Sequence, residues 1–123
     1  MEGGDITDRN GKGGTSIYPG GIFEDENYNI KHSKRGILSM ANYGPKTNGS
    51  RFMVLMNDQH WMDDKYVVFG EVIEGMDVID ELEKRFATAS GSPKRGIIWV
   101  SECGEIKDTP ALESGKTEEP EII

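Results

Sequence analysis

The residues whose types could hold a ligand lie between Leu38 and Gly70, and most of them are apolar. They are Met40, Ala41, Phe52, Met53, Trp61, Met62 and Tyr66. Trp61 stands in a polar connection and not in an apolar run, which leaves two interpretations. It either anchors a core, as large aromatic side chains usually do, or forms a groove wall with its indole N–H directed at a ligand carbonyl.

Motifs for phosphate or hard-metal chemistry are weak. Residues 11–16 are rich in glycine and contain a lysine, but they lack the spacing, the preceding strand and the following helix of a phosphate-binding loop. Turn formation is therefore the favoured interpretation. Asp63, Asp64 and the acidic run at residues 24–26 do not resemble an EF-hand loop, so we interpret them as solvated surface.

The histidines and the cysteine also favour plain structural roles. His32 and His60 lie in polar surroundings without a metal-ligand pattern, which predicts surface positions for both. Cys103 is the one cysteine, which excludes an intrachain disulfide and a cysteine-based zinc site. Its apolar neighbours predict a buried, unreactive thiol.

The net charge argues against two classes of partner, although it does not exclude a local basic patch. The 123 residues contain 14 Lys plus Arg against 22 Asp plus Glu, a formal net charge of −8. Because nucleic acids and anionic membrane surfaces would repel such a chain, we expect neither as a partner. The longest apolar run, residues 52–56, is too short to span a bilayer, and no signal peptide is visible. We therefore expect a cytoplasmic protein.

The elements that must position these residues are short strands and one helix. Apolar or β-branched runs predict strands at residues 37–42, 52–56, 66–73 and 97–103, with 52–56 buried on both faces. Apolar residues at helical spacing predict an amphipathic helix over 76–87, with Asp80/Lys84 and Glu81/Arg85 as i,i+4 pairs. Clustered glycines and polar residues predict that the first third of the chain is mostly loop.

Several motifs occur in a family-specific order. They are Gly3-Gly4-Asp5, residues 10–18, residues 23–27, Gly36-Ile37-Leu38-Ser39-Met40-Ala41-Asn42, residues 47–52, Trp61-Met62-Asp63, Val67-Val68-Phe69-Gly70, Glu74-Gly75-Met76 and Glu102-Cys103-Gly104. With these motifs the sequence resembles the cyclophilins, the cyclosporin-binding family of peptidyl-prolyl isomerases. The resemblance covers residues 1 to about 106.

The resemblance implies an all-β fold with a minor helical part. The expected architecture is a cyclophilin-like antiparallel eight-stranded barrel closed by two helices, with a proline-binding groove on its outer surface. Residues 1–106 correspond to the C-terminal two-thirds of such a domain, so we expect its first strands and first helix to be missing here. The composition of residues 107–123 predicts an acidic disordered tail.

The resemblance also implies a set of substrate-binding residues. They are Glu2, Gly11, Ala41, Asn42, Tyr43, Thr47, Arg51, Met53, Trp61, Met62 and Tyr66. Ala41, Asn42 and Tyr43 would line the groove, with Asn42 offering backbone hydrogen bonds to the peptide. Trp61 and Met62 would form its wall.

Four of these positions depart from the residue that is usual in the family. Met53 replaces a phenylalanine, Tyr66 a histidine, and Arg51 and Glu2 each a glutamine. Methionine is apolar and adaptable, so Met53 would keep a looser proline pocket. Arg51 would add a cation at the rim of the groove. Gly11 and Thr47 fit positions that flank a neighbouring secondary pocket.

The implied reaction is rotation about an X–Pro bond, which needs no nucleophile, metal or cofactor. The catalytic arginine of the family aligns upstream of Gly3-Gly4-Asp5, so we expect no catalytic residue within this chain and little activity from it alone. A second hypothesis is a non-catalytic module or fragment that binds proline peptides. Expected partners are proline-containing peptides and unfolded proteins, with cyclosporin as a further candidate ligand and a monomeric chain.

Overall fold

A computed structural model of the chain describes residues 1–107. The chain divides into two units, Met1–Glu83 and Lys84–Ile123. In chain order the elements are β1 (Glu2–Gly3), β2 (Ile37–Met40), β3 (Phe52–Val54), a 3-10 helix (His60–Met62), β4 (Val68–Glu71) and α1 (Met76–Phe86). None of the helices in residues 1–107 has the length and apolar content needed to cross a membrane.

The four strands form one antiparallel sheet in the order β1-β3-β2-β4. Met53 on β3 lies opposite Glu2 on one side and Ser39 on the other. The register between β2 and β4 shifts at Leu38 and Ser39, and a bulge of this kind increases the local twist of a strand. The predicted antiparallel, mostly-β fold is confirmed, although the sheet within residues 1–107 has four strands and does not close into a barrel.

The apolar core of the first unit is small. Its central cluster consists of Ile37, Leu55 and Val68, and it therefore joins β2, the end of β3 and β4. Fully burying one such side chain contributes roughly 1.5–3 kcal/mol. The prediction that residues 52–56 are buried on both faces is only partly right, because only Val54 and Leu55 are buried.

Helix α1 confirms the prediction from apolar spacing and ends one residue earlier than expected. Its first turn contains Asp77, and its last turn contains two basic residues, which suits the helix macrodipole. Asp80 forms a bidentate ion pair with Arg35, whose Nη1 lies 2.6 Å from Asp80 Oδ1. This pair joins the helix to the residues that precede β2.

The predicted strand at 97–103 is wrong. These residues form no strand, and Ile97 and Trp99 are exposed. A strand is stable only when a neighbouring strand satisfies its backbone groups, and the described residues of the second unit provide no such ladder. Cys103 is consequently exposed, contrary to the predicted burial. The predicted tail, apart from Lys107, lies outside the described residues.

Candidate functional site

The end of β2 forms the centre of the candidate site. Ala41 is buried, and its N–H donates to the carbonyl oxygen of Arg51 at 3.0 Å. Asn42 is fixed by its side chain, which donates from Nδ2 to the carbonyl oxygen of Lys65 at 3.0 Å and accepts from the N–H of Gly44 at 3.1 Å. Among residues 1–107 nothing bonds the backbone N–H or C=O of Asn42, so both groups remain available to a ligand.

The 3-10 helix and the segment that follows it carry an aromatic pair, whose Tyr66 follows the Lys65 that Asn42 contacts. The Trp61 ring meets Tyr66 edge to face, with 6.0 Å between ring centroids and an interplanar angle of 81°. Trp61 is 62% exposed, and its indole N–H donates to Gln59 Oε1 at 2.6 Å. The core-anchor interpretation is therefore wrong for Trp61, whereas the neighbouring Met62 is buried.

A second group of predicted residues surrounds Arg51. Its Nη1 lies 3.0 Å from Glu2 Oε1 and 2.9 Å from the carbonyl oxygen of Gly11. The guanidinium also lies 4.4 Å from the centre of the Tyr43 ring, a cation–π contact. Arg51 is only 9% exposed, so the expected cation at the groove rim is instead a partnered, buried charge.

Tyr43 is held at both ends. Its N–H donates to Thr47 Oγ1 at 2.8 Å, and its hydroxyl donates to the carbonyl oxygen of Lys12. Thr47 Oγ1 in turn donates to the carbonyl oxygen of Gly44 at 2.7 Å. Tyr43 therefore bridges the turn after β2 and the glycine-rich loop, beside Gly11.

The eleven predicted residues thus fall into two joined groups and one outlier. Glu2, Gly11, Tyr43, Thr47 and Arg51 form the first group, and Trp61, Met62 and Tyr66 form the second. Ala41 and Asn42 join them through their bonds to the carbonyl oxygens of Arg51 and Lys65. Met53 lies on β3, partly exposed, opposite Glu2 and Ser39.

The glycine-rich run at residues 11–16 already surrounds an anion, which is the carboxylate of Asp5. Five backbone N–H groups donate to it at 2.8–3.2 Å, from Asp8, Asn10, Gly11, Lys12 and Gly13. The donors that could bind a phosphate are therefore occupied by the chain itself. This arrangement supports the turn interpretation.

His32 is the residue that sequence analysis placed most wrongly. It was predicted at the surface but is 0% exposed, because its ring lies between Asp63 and Ser39, which are 31 and 7 positions away in sequence. The backbone N–H of His32 and the His60 side chain hold the pKa of Asp63 well below its usual range. No local pattern reveals a partner 31 positions away. His60 is exposed, as predicted.

Metal chemistry finds no support in this part of the chain. Within residues 1–107, no three His, Cys, Asp or Glu side chains form a group that could hold a metal ion. The site consists of aromatic faces, free backbone groups and partnered charges.

Comparisons with known proteins identify the family of the chain. The family model described as "Cyclophilin type peptidyl-prolyl cis-trans isomerase/CLD" matches residues 1–105. A protein of Encephalitozoon cuniculi (strain GB-M1) named "Peptidyl-prolyl cis-trans isomerase" is 51% identical over 105 residues, which make up 85% of this chain and 60% of that relative. The chain thus spans about 60% of the length of this curated relative. Since the family model matches most of its residues, the chain belongs to the family of cyclophilin-type peptidyl-prolyl cis-trans isomerases.

Proposed function

We propose that this protein is a peptidyl-prolyl cis-trans isomerase that acts on X–Pro bonds of peptides and unfolded proteins, and that the described residues hold the peptide. The observation that carries this proposal is the free backbone N–H and C=O of Asn42 at the end of β2. An extended peptide can use such groups as it would use the edge of a sheet. The Trp61–Tyr66 pair, joined to Asn42 through Lys65, supplies an exposed aromatic face.

The chemistry needed is modest. Rotation about a peptide bond has a barrier of about 18–20 kcal/mol, and no covalent bond is made or broken. A protein lowers this barrier by holding the twisted form more tightly than the planar forms, through an apolar seat for the proline ring and charge near the twisted carbonyl. The resemblance assigns Met53 to that seat and assigns Trp61 and Met62 to the wall of the groove.

We expect the chain to bind such peptides more effectively than it isomerises them. A cation at the twisted carbonyl would be the main electrostatic contribution. Arg51 stacks on Tyr43, the residue that follows Asn42, and its Nη1 already bonds Glu2 and the carbonyl oxygen of Gly11. Arg35 is paired with Asp80. A binding module without turnover is therefore the second candidate function.

The test is a titration of the full chain with two short peptides that differ only in Ala-Pro against Ala-Ala. In a Trp99→Phe background Trp61 is the only tryptophan, so its fluorescence reports binding. We expect a saturable change with the proline peptide alone, and at least a tenfold loss of affinity in Trp61→Ala measured by calorimetry. Cyclosporin should displace the peptide if it shares the site.

The same samples separate the two candidate functions. Exchange spectroscopy on the proline peptide measures the rate of cis/trans interconversion directly. Binding with little acceleration supports the binding module, and strong acceleration supports the isomerase and contradicts the expected low turnover. An equal response to both peptides would contradict the proposed proline site altogether.

A further inference from the structure

Three polar side chains form a buried cluster beneath the candidate site. His32 Nδ1 lies 2.9 Å from Asp63 Oδ1, and His32 Nε2 lies 2.8 Å from Ser39 Oγ. Ser39 Oγ is also 3.3 Å from the carbonyl oxygen of Val67 on the approach to β4. Because Asp63 is ionised and can only accept, His32 Nδ1 carries a hydrogen. The single hydroxyl hydrogen of Ser39 can be donated either to His32 Nε2 or to the carbonyl oxygen of Val67.

This order of aspartate, histidine and serine is that of a hydrolase triad, yet the cluster cannot act as one. His32 and Ser39 are both 0% exposed, so no substrate reaches the hydroxyl. A nucleophile must approach the reacting carbonyl. The cluster must therefore act on the protein itself.

Backbone hydrogen bonds of His32 reach the residues immediately before and after the 3-10 helix. Its carbonyl oxygen accepts from the N–H of Gln59 at 2.9 Å, immediately before the helix. Its backbone N–H donates to Asp63 Oδ1 at 2.7 Å, immediately after the helix. The imidazole ring of His32 also bonds, through Nε2, to Oγ of Ser39, a residue of β2 two positions before Ala41. One side chain thus joins the helix that carries Trp61 to the strand that leads to Asn42.

We propose that His32 is a positioning residue that fixes the 3-10 helix bearing Trp61 relative to the end of β2, which is followed by Ala41 and Asn42. The role of this spacing in peptide binding rests on the proposed function. The imidazole suits the role because it is rigid and bonds at two opposite nitrogen atoms. Fully satisfied polar networks in the interior favour one arrangement of the elements that they join.

The test compares His32→Gln with His60→Gln, both in the full-length chain with Trp99→Phe. The two histidines bond the same carboxylate, each at 2.9 Å, but His60 is exposed, and its hydrogen bond and ion pairs go to Asp58 and Asp63 and not to β2. The amide of a glutamine at position 32 can take the place of the ring Nε2, but the side chain has no polar atom at the position of Nδ1, so we expect the side-chain bond to Asp63 to be lost. We expect His32→Gln to lower the fluorescence anisotropy of Trp61, shift its emission and weaken proline-peptide binding roughly tenfold. His60→Gln should change each of these by less than twofold.

A milder variant keeps the test decisive if His32→Gln fails to fold. Ser39→Ala removes only the β2 end of the bridge, and we expect it to shift Trp61 in the same direction. Equal Trp61 signals in the His32 and His60 variants, or wild-type anisotropy in folded His32→Gln or Ser39→Ala, would overturn the proposal. The Trp61 signal needs no peptide, so it still decides the role of His32 if the wild-type chain binds no proline peptide and the proposed function fails.

Discussion

The charge of Asp5 is stabilised by the backbone of its own loop. Partial burial works against ionisation of Asp5, but N–H groups of the loop, those of Asn10, Asp8 and Gly13 among them, outweigh it and hold the pKa of this carboxyl well below its usual range. A carboxyl group with a lowered pKa in the folded state stabilises the fold while it is ionised. The unfolded group titrates near pH 3.9, so this contribution is complete well above that pH.

Removal of the Asp5 charge should reduce the loss of folding stability at acid pH. We expect the wild-type chain to lose part of its stability as the pH falls below about 4, and Asp5→Asn to lose less over the same range because its side chain does not titrate. The measurement is the urea midpoint between pH 6 and pH 2.5. Asp8→Asn is the control, because Asp8 gives the network only its backbone N–H. Parallel profiles for wild type and Asp5→Asn would contradict the prediction.

For individual residues, the sequence alone is a poor guide to solvent exposure. The resemblance placed Glu2, Gly11 and Arg51 among the substrate-binding residues, and in the structure Arg51 forms hydrogen bonds with the other two. It did not show that Arg51 would be buried against Tyr43, because exposure depends on contacts between distant segments. His32 was placed wrongly for the same reason, since sequence neighbours determine local polarity but not tertiary contacts.

Among the elements, β1 depends on the absence of a side chain at the residue that follows it. Gly4 has φ +92°, and a Cβ there would lie 2.1 Å from the carbonyl oxygen of Ser50. The Ser50 hydroxyl also donates to the carbonyl oxygen of Gly4. Close approach of the two backbones therefore holds β1 beside β3.

Gly4→Ala should detach β1 from the sheet. The positive φ alone costs an alanine about 1–2 kcal/mol, and the clash with backbone at Ser50 adds to this cost because backbone cannot rotate away. Gly75→Ala is a matched control, since its φ is +93° and nothing lies within 4 Å of the added Cβ. We expect only the strain cost at Gly75 and a clearly larger loss at Gly4, measured by urea unfolding. Equal losses would show that the contact with Ser50 is unimportant.

Periodicity in the sequence identified elements where local pattern and tertiary pairing agree. The apolar runs around β2, β3 and β4 and the spacing in α1 predicted those four elements, although the strands are shorter than expected. The two-residue strand β1 is too short to give a pattern. The run at 97–103 gave a strand pattern without a strand, because β propensity alone provides no hydrogen-bonding partner.

At the scale of the molecule, the three-residue core cluster limits the stability of residues 1–107. Small domains retain only about 5–15 kcal/mol of net stability, and a core of this size contributes toward the lower end. Each residue of the cluster therefore contributes a large share of the net free energy of unfolding.

Leu55→Ala should bring the chain close to unfolding. Leu55 is 4% exposed, and truncation of a buried leucine costs about 2–5 kcal/mol. Ile73→Ala removes a comparable aliphatic side chain that is 96% exposed and should change stability by less than about 0.5 kcal/mol. Thermal unfolding followed by far-UV circular dichroism compares the two. A similar midpoint for both variants would show that this cluster does not support the fold.

Most of the hydrogen bonds to Asp5 come from backbone N–H groups, which every amino acid except proline possesses. At Asp8 and Lys12 the network uses only the backbone N–H, so most substitutions there preserve the hydrogen bonds that shape the loop. Gly13 is an exception, because a Cβ at this position would lie 2.6 Å from Asp5 Oδ1. We expect natural variation and deliberate engineering to alter the charge of this rim, beside Gly11, while its backbone stays the same. Selectivity can therefore diverge at this loop at little cost to the scaffold.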